Sequence, residues 1–402
     1  LDAVGSVSTG AIDTGLLDVI AGTDITTGAI VVADGVLLTA NNGTISIGTS
    51  TAGTNFQAFA GTNLTTRGIS AIEIDAAAGG TAAIDGAWSA DYVQLVSNDI
   101  DITANASISA GEIDLISSNA TQTVVGDGVT GGGYQLSDAE YDRLGSGDID
   151  VIADVGRGAA PRILIGDLSV DASGGGGFSE YEFVTFDSQN EIDDIVGSIR
   201  VVGEAVFTGL GAEDGVAFTT NLFELDAATG LLSLENAPGT LGGILYLDAA
   251  HIHVASGDIL DRLAEDPQYD GYQEELNAPA EVQRPGGVVR AASMEIEFED
   301  GGQAELNTLY VQNSGTEDTP AGFVVSEAVF FGEGNEVTPP AGSIDLIING
   351  QIVTQGGTLT GIDVRDALVE AEGDLSPFTA NSTINGCLLT GSCEGGGGGG
   401  GP

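Results

Sequence analysis

The sequence predicts an all-β chain wound as a parallel β-helix, a solenoid with short helical insertions. Three observations predict it. Between Gly28 and Gly48 (GAIVVADGVLLTANNGTISIG), Ile30 and Val32, Val36 and Leu38, and Ile45 and Ile47 alternate with other residues. Period-two alternation puts each pair on one face of a short strand. Second, the pattern recurs: Ile12 to Ile30 is 18 positions, Val19 to Leu38 is 19 and Ile25 to Ile45 is 20. Three strands in a repeat near 19 residues describe a sheet coiled so that each turn stacks on the last. Third, 63 of 402 residues are Gly and aromatic residues are 5%. A narrow core filled by Ile, Val, Leu and Ala needs few large side chains.

Taken in order, Gly35 separates the first strand of this repeat from the second. Asn42-Gly43 supplies a turn that tolerates positive φ before the third. The shaft is expected over residues 1–375, cleanest up to about residue 130. The motif Gly-x-Ile-Asp-aliphatic-Ile recurs as GEIDLI (111–116), GDIDVI (147–152) and GSIDLI (342–347). In each, the Ile and the aliphatic residue two later should point inward, with the acid between them outward. Phe56, Phe59 and Trp88 are expected to fill the core or cap a corner.

Residues 134–146 interrupt the rhythm. In YQLSDAEYDRLG, Ser137 can cap a short helix with Glu140 closing a capping box, and Leu136, Tyr141 and Leu144 should face inward. A second departure, a side insertion, covers residues 258–286. Ile259, Leu263, Tyr272 and Leu276 take helical spacing there, divided by Pro267. Insertions between turns are where solenoids place recognition, so Tyr269 and Tyr272 are candidate binding residues. The bland alternative is a lateral helix that covers one sheet. Residues 376–402 hold a Cys-x5-Cys tail followed by a Gly-rich stretch that behaves as a flexible linker.

Sixty acidic residues stand against nine basic ones, all Arg, for a net charge of −51. Nucleic-acid binding needs clustered cations facing phosphate and is disfavoured, as is adsorption to anionic lipid. Such charge favours solubility and bound counterions. No apolar run is long enough for a membrane-spanning helix, and direct membrane insertion is not expected. The chain opens on Leu without a signal peptide and reads as a processed product or fragment. Cys387 and Cys393 lie close together in an otherwise Cys-free chain. Five intervening residues including Gly391 allow a disulfide, which points to an oxidising, extracytoplasmic setting.

Candidate chemistry is sparse. Asp99, Asp101, Glu112 and Asp114 form an outward acidic set that could hold a cation, calcium being the hard oxygen-seeking choice; a solvated acidic face is the alternative. His251 and His253, at i and i+2 on one strand near Asp248, could supply two ligands of a metal site, with no third strong ligand evident. No cofactor is otherwise implied. No catalytic triad order, nucleophile elbow or phosphate loop stands out, and GDGVTGGG at 126–133 lacks the Lys and the helix of a nucleotide site. Parallel β-helices host polysaccharide lyases and hydrolases, but carboxylates are too abundant here for any pair to be informative, and the nine Arg are scattered. The chain is therefore not expected to be an enzyme.

The Gly-x-Ile-x-aliphatic turns, the YQLSDAEYDRLG interruption and the run LNTLYVQNSGTEDTPAGF…GSIDLIINGQIVTQGGTLTGIDVRDAL…STINGCLLTGSC carry a resemblance. They resemble the filamentous-haemagglutinin-like exoproteins of bacterial two-partner secretion, specifically their C-terminal region. The resemblance is specific over about the last hundred residues; the earlier turns match in style. It implies a right-handed β-helical shaft, an outer-membrane transporter as partner, and a secreted protein at the outer-membrane surface of a Gram-negative bacterium. It further implies adhesion to host or bacterial surfaces or extracellular glycan, or a role in biofilm. Carried over, Cys387 and Cys393 would form the disulfide hook that lodges in the transporter. The alternatives are a self-assembling, possibly cation-dependent extracellular filament or matrix protein, and a polysaccharide lyase or hydrolase.

Overall fold

The computed structural model describes residues 1–118, 122–129, 133–145, 147–154, 160–172, 183–188, 197–211, 214–225, 230–238, 240–254, 288–297, 308–312, 322–331, 346–349, 353–354, 358–359, 383–384 and 387–388. The described chain is nearly all β, in parallel sheets, and divides into two units, Leu1–Asp193 and Asp194–Pro402.

In the first unit the strands fall into three parallel series, which the chain visits in turn. The first series runs Leu17–Ala21, Val36–Ala40, Asn55–Ala60, Glu73–Ala78, Tyr92–Ser97, Glu112–Ser117, Asp148–Ala153 and Phe183–Asp187. The second passes through Ile25–Thr27, Ile45–Ile47, Leu64–Thr66, Ala82–Ile84 and Ile100–Ile102. The third passes through Ile12–Thr14, Ile30–Val32, Ser50–Ala52, Ile69–Ser70, Ala87–Ser89 and Ser107–Ser109. The three sequence spacings noted above are register pairs: Ile12 pairs with Ile30, Val19 with Leu38 and Ile25 with Ile45.

Because the offset is so constant, like residues stack on like. Val19, Leu38, Ala58, Ala76, Leu95, Leu115 and Val151 form one column, every member buried. Phe56 sits beside it between Val36 and Ile74. Each fully buried aliphatic side chain contributes about 1.5–3 kcal/mol, so stability is distributed along the columns rather than concentrated. Trp88 is fully buried where Ile69 stands one level earlier, and its indole N–H donates to Thr66 Oγ1 at 2.8 Å. Phe59, in contrast, lies on the outward side of its strand and is half-buried.

Where successive levels touch at corners there is no room for a side chain. A Cβ on Gly53 would lie 2.1 Å from the Ala33 carbonyl oxygen, and one on Gly86 would lie 1.5 Å from that of Arg67. Asp–Thr clasps join other corners. Asp24 Oδ1 accepts the N–H and hydroxyl of Thr44 at 2.9 and 3.1 Å. Thr54 and Thr103 donate likewise to Asp34 and Asp85.

The regular offset fails after Ser117. Glu112–Ser117 pairs next with Asp148–Ala153, 36 residues on. The intervening chain forms a short ladder tied to the end of the second series through Asp99 and Gln135: Tyr134–Leu136 pairs with Thr123–Val125, which pairs in turn with Ile163–Ile165. Ser137 then caps a helical turn, Asp138–Tyr141, and the capping box with Glu140 is complete. Leu136 and Tyr141 are buried and Leu144 is half-buried.

This insertion meets the strand edge with side chains. Glu140 Oε1 accepts the Ile102 N–H at 2.9 Å, while its Oε2 takes the N–H and hydroxyl of Ser137. Arg143 donates to the Ile102 carbonyl at 2.8 Å. Asp99 accepts the Gln135 N–H and Asp138 the Ser169 N–H. Thus one residue, Ile102, has both backbone polar groups satisfied by the insertion, as a buried strand end requires.

The second unit also cycles through three parallel series, at wider offsets. Ser198–Val201 pairs with Leu222–Leu225, and the latter with His251–Val254, which pairs with Thr308–Val311. Glu204–Phe207 pairs with Leu231–Leu234, and Leu231–Ser233 with Val288–Arg290. In the third ladder Gly215–Thr220 pairs with Ile244–Ala249, and Ile244–Asp248 with Ser293–Glu297. Aromatic residues fill this core: Phe207, Phe218 and Phe223 are fully buried, and the last two rings stand 5.0 Å apart at 56°. The side insertion expected over 258–286 lies outside the described residues, as do Tyr269 and Tyr272.

Candidate functional site

Stacking in register carries a consequence for the outward faces. The first two copies of the Gly-x-Ile-Asp motif lie on adjacent strands, so Glu112 pairs with Asp148 and Asp114 with Asp150. Four acids therefore occupy a two-by-two block. Like charges directly opposite on neighbouring strands repel. Earlier in the same column the chain avoids this, since Gln57, Asp75 and Gln94 alternate amide with carboxylate and Gln57 Nε2 donates to Asp75 at 3.3 Å. The alternation ends at Asp114 and Asp150.

Within the block, Glu112, Asp114 and Asp150 each offer a carboxylate oxygen, all within 4.8 Å of one another. Asp114 is the inner member at 9% exposure, although the period-two pattern puts it on the outward side. Tyr92, one level below, covers it: its phenol donates to Asp114 Oδ2 and receives a hydrogen bond from Gln94 Nε2 at 3.1 Å. The other oxygen, Asp114 Oδ1, is buried and accepts no hydrogen bond.

The electrostatics follow from this crowding. Burial, then the neighbouring Asp114, Asp150 and Asp148 carboxylates, raises the Glu112 carboxyl above its ordinary value. Burial raises Asp150 as well, partly offset by a hydrogen bond from Thr185. The Tyr92 phenol is pushed up by burial and then by Asp114.

The acidic set expected from sequence is thus divided and regrouped. Glu112 and Asp114 come together, but Asp99 and Asp101 stand in a different ladder, in register with Thr81 and Ala83. Asp99 serves the inserted strand through Gln135, with its carboxyl raised by burial, and Asp101 is exposed. Sequence reasoning missed Asp150 as the third member and Tyr92 as the cover. The signal was present: two copies of one motif stack on each other when the residues between them leave the ladder.

His251 and His253 lie on Ile244–Val254, in backbone register with Leu222 and Glu224 on one side and Thr308 and Tyr310 on the other. Asp248 belongs to the neighbouring ladder, opposite Thr219 and Glu297. Cys387 opens a two-residue strand, Cys387–Leu388, antiparallel to Thr383–Ile384; Cys393 lies outside the described residues. Among the described residues, no helix is long and apolar enough to cross a membrane. Comparison with protein-family models, curated proteins and solved structures finds no match for the chain.

Proposed function

We propose that the chain is a right-handed parallel β-helix serving as the structural shaft of a secreted cell-surface adhesin, a scaffold that presents binding surfaces rather than performing chemistry. The observation that carries this reading is the set of three interleaved parallel series in the first unit, with in-register columns such as Val19 to Val151. A structure that grows by adding levels buries its core at every length, and its outward residues are free to vary. The acidic balance of −51 keeps such a surface soluble. The resemblance to filamentous-haemagglutinin-like exoproteins supports placement at the outer-membrane surface, with a transporter as partner.

Negative-stain electron microscopy of the purified chain, with calcium and with chelator, tests the reading. Separate thin rods in both conditions are expected. The eight strands of the first series alone, at a spacing near 4.8 Å, would span roughly 34 Å. Compact globules would overturn the shaft, and fibres that lengthen with concentration would make self-assembly the function instead. Attachment of cells displaying the chain, against cells lacking it, then tests adhesion separately from shape.

A further inference from the structure

We infer that Glu112, Asp114 and Asp150 bind a calcium ion between the two stacked copies of the Gly-x-Ile-Asp motif. Two independent observations carry the assignment. The first is geometric: three carboxylates from adjacent strands converge with oxygens within 4.8 Å of one another. Oxygens this close can converge on one cation, and calcium, which accepts six to eight oxygen ligands in flexible geometry, suits carboxylates fixed on neighbouring strands better than magnesium, which demands a near-ideal octahedron. The second is the state of Asp114. It is nine-tenths buried, Tyr92 engages one of its oxygens, and the other is buried without a donor. A buried carboxylate oxygen with no hydrogen bond is costly, and two further carboxylates beside it raise that cost. A divalent cation meets both needs at once.

The ligand set is all oxygen, the preference of a hard cation, and contains no imidazole or thiolate to favour zinc. The site also lies where the ladder leaves its regular offset, so the ion would join the strand before the insertion to the strand after it, Glu112–Ser117 to Asp148–Ala153. This assignment does not depend on the adhesin reading.

The test is calcium binding by the full chain in about 0.15 M NaCl, where diffuse counterion attraction is largely screened. Isothermal titration with calcium chloride should show a saturable site in the wild type. Asp150→Asn keeps the side-chain shape, and Glu112→Gln alters an exposed side chain that the fold does not need. Each should weaken that site about tenfold or more. Asp13→Asn, an exposed acid on Ile12–Thr14, should leave it unchanged. Calcium should raise the melting temperature of the wild type and of Asp13→Asn, but raise that of Asp150→Asn far less. The assignment is overturned if the wild type shows no saturable uptake, or if all four proteins take up calcium alike.

Discussion

The levels from Ile12 to Ser117 and the interrupted level from Thr123 to Asp171 solve one problem in two ways. Every strand of a stacked sheet must find partners for its backbone groups on both sides. In the regular levels the next turn of chain supplies them, as when Leu64–Thr66 lies between Ile45–Ile47 and Ala82–Ile84. At the interruption, carboxylates and a guanidinium take over part of that work. Glu140 and Arg143 serve Ile102, Asp99 serves Gln135, and Asp138 serves Ser169. Repetition draws most of its partners from spacing, with side-chain clasps such as Asp24–Thr44 at the corners, whereas interruption needs particular residues along the strand edge itself. The regular levels should therefore tolerate outward change and fail on inward change, while the interrupted level should depend on polar side chains.

The largest effect should come from the period-two rule itself. Ile30 and Val32 are buried at 1% and 2% exposure, whereas Val31 between them is exposed at 53%. Ile30→Asp places a charge in the buried column between Ile12 and Ser50 and should cost on the order of 4 kcal/mol or more. Val31→Asp should remain within about 0.5 kcal/mol of the wild type. Thermal unfolding followed by circular dichroism measures both. Equal losses would break the claim that the regular levels are one-sided.

A smaller effect should appear at the interruption. Glu140→Ala removes the acceptor for Ile102 N–H, Ser137 N–H and the Ser137 hydroxyl, and with it the capping box. The expected loss is about 2 kcal/mol, combining a lost cap with an exposed strand end. Glu140→Gln should recover about half of it, because an amide oxygen still accepts one set of bonds. Hydrogen exchange at the Ile102 amide gives the direct readout. Protection unchanged in Glu140→Ala would mean that the strand edge is closed by packing rather than by this carboxylate.

These two regions were not equally legible in the sequence. The spacings of Ile12, Val19 and Ile25 to their partners are local periodicities, and stacked parallel strands turn such periodicities directly into register. Ser137 and Glu140 were readable as a cap because a capping box is a contact within one turn. The reach of Glu140 to Ile102 was not, since it crosses 38 residues and depends on how many levels the insertion occupies. The acid block was half legible for the same reason. Asp114 and Asp150 carry the same motif, but only the jump of 36 residues makes them neighbours. Without it, Asp99 and Asp101 were the nearer acids in sequence and displaced Asp150 from the expected set. Asp114 itself reads as outward by alternation; Tyr92 one level below is what buries it.

The smallest effect tests whether the corners of the regular levels also rely on polar residues. Asp24 holds Thr44 of the next level, and hydrogen bonds from the Thr44 backbone, then its hydroxyl, lower the Asp24 carboxyl below its ordinary value. A carboxyl lowered in the folded state contributes stability above its unfolded pKa, and that contribution fades as pH falls through the folded value. Asp24→Ala should therefore lower the melting temperature slightly at pH 7, and the gap from the wild type should close toward pH 2. Asp24 is only half-buried, so salt and water still screen the effect and it should be the weakest of the three. A gap that persisted unchanged into acid would assign the loss to the corner's packing rather than to the charged clasp. The regular levels would then owe their corners, like their core, to shape alone.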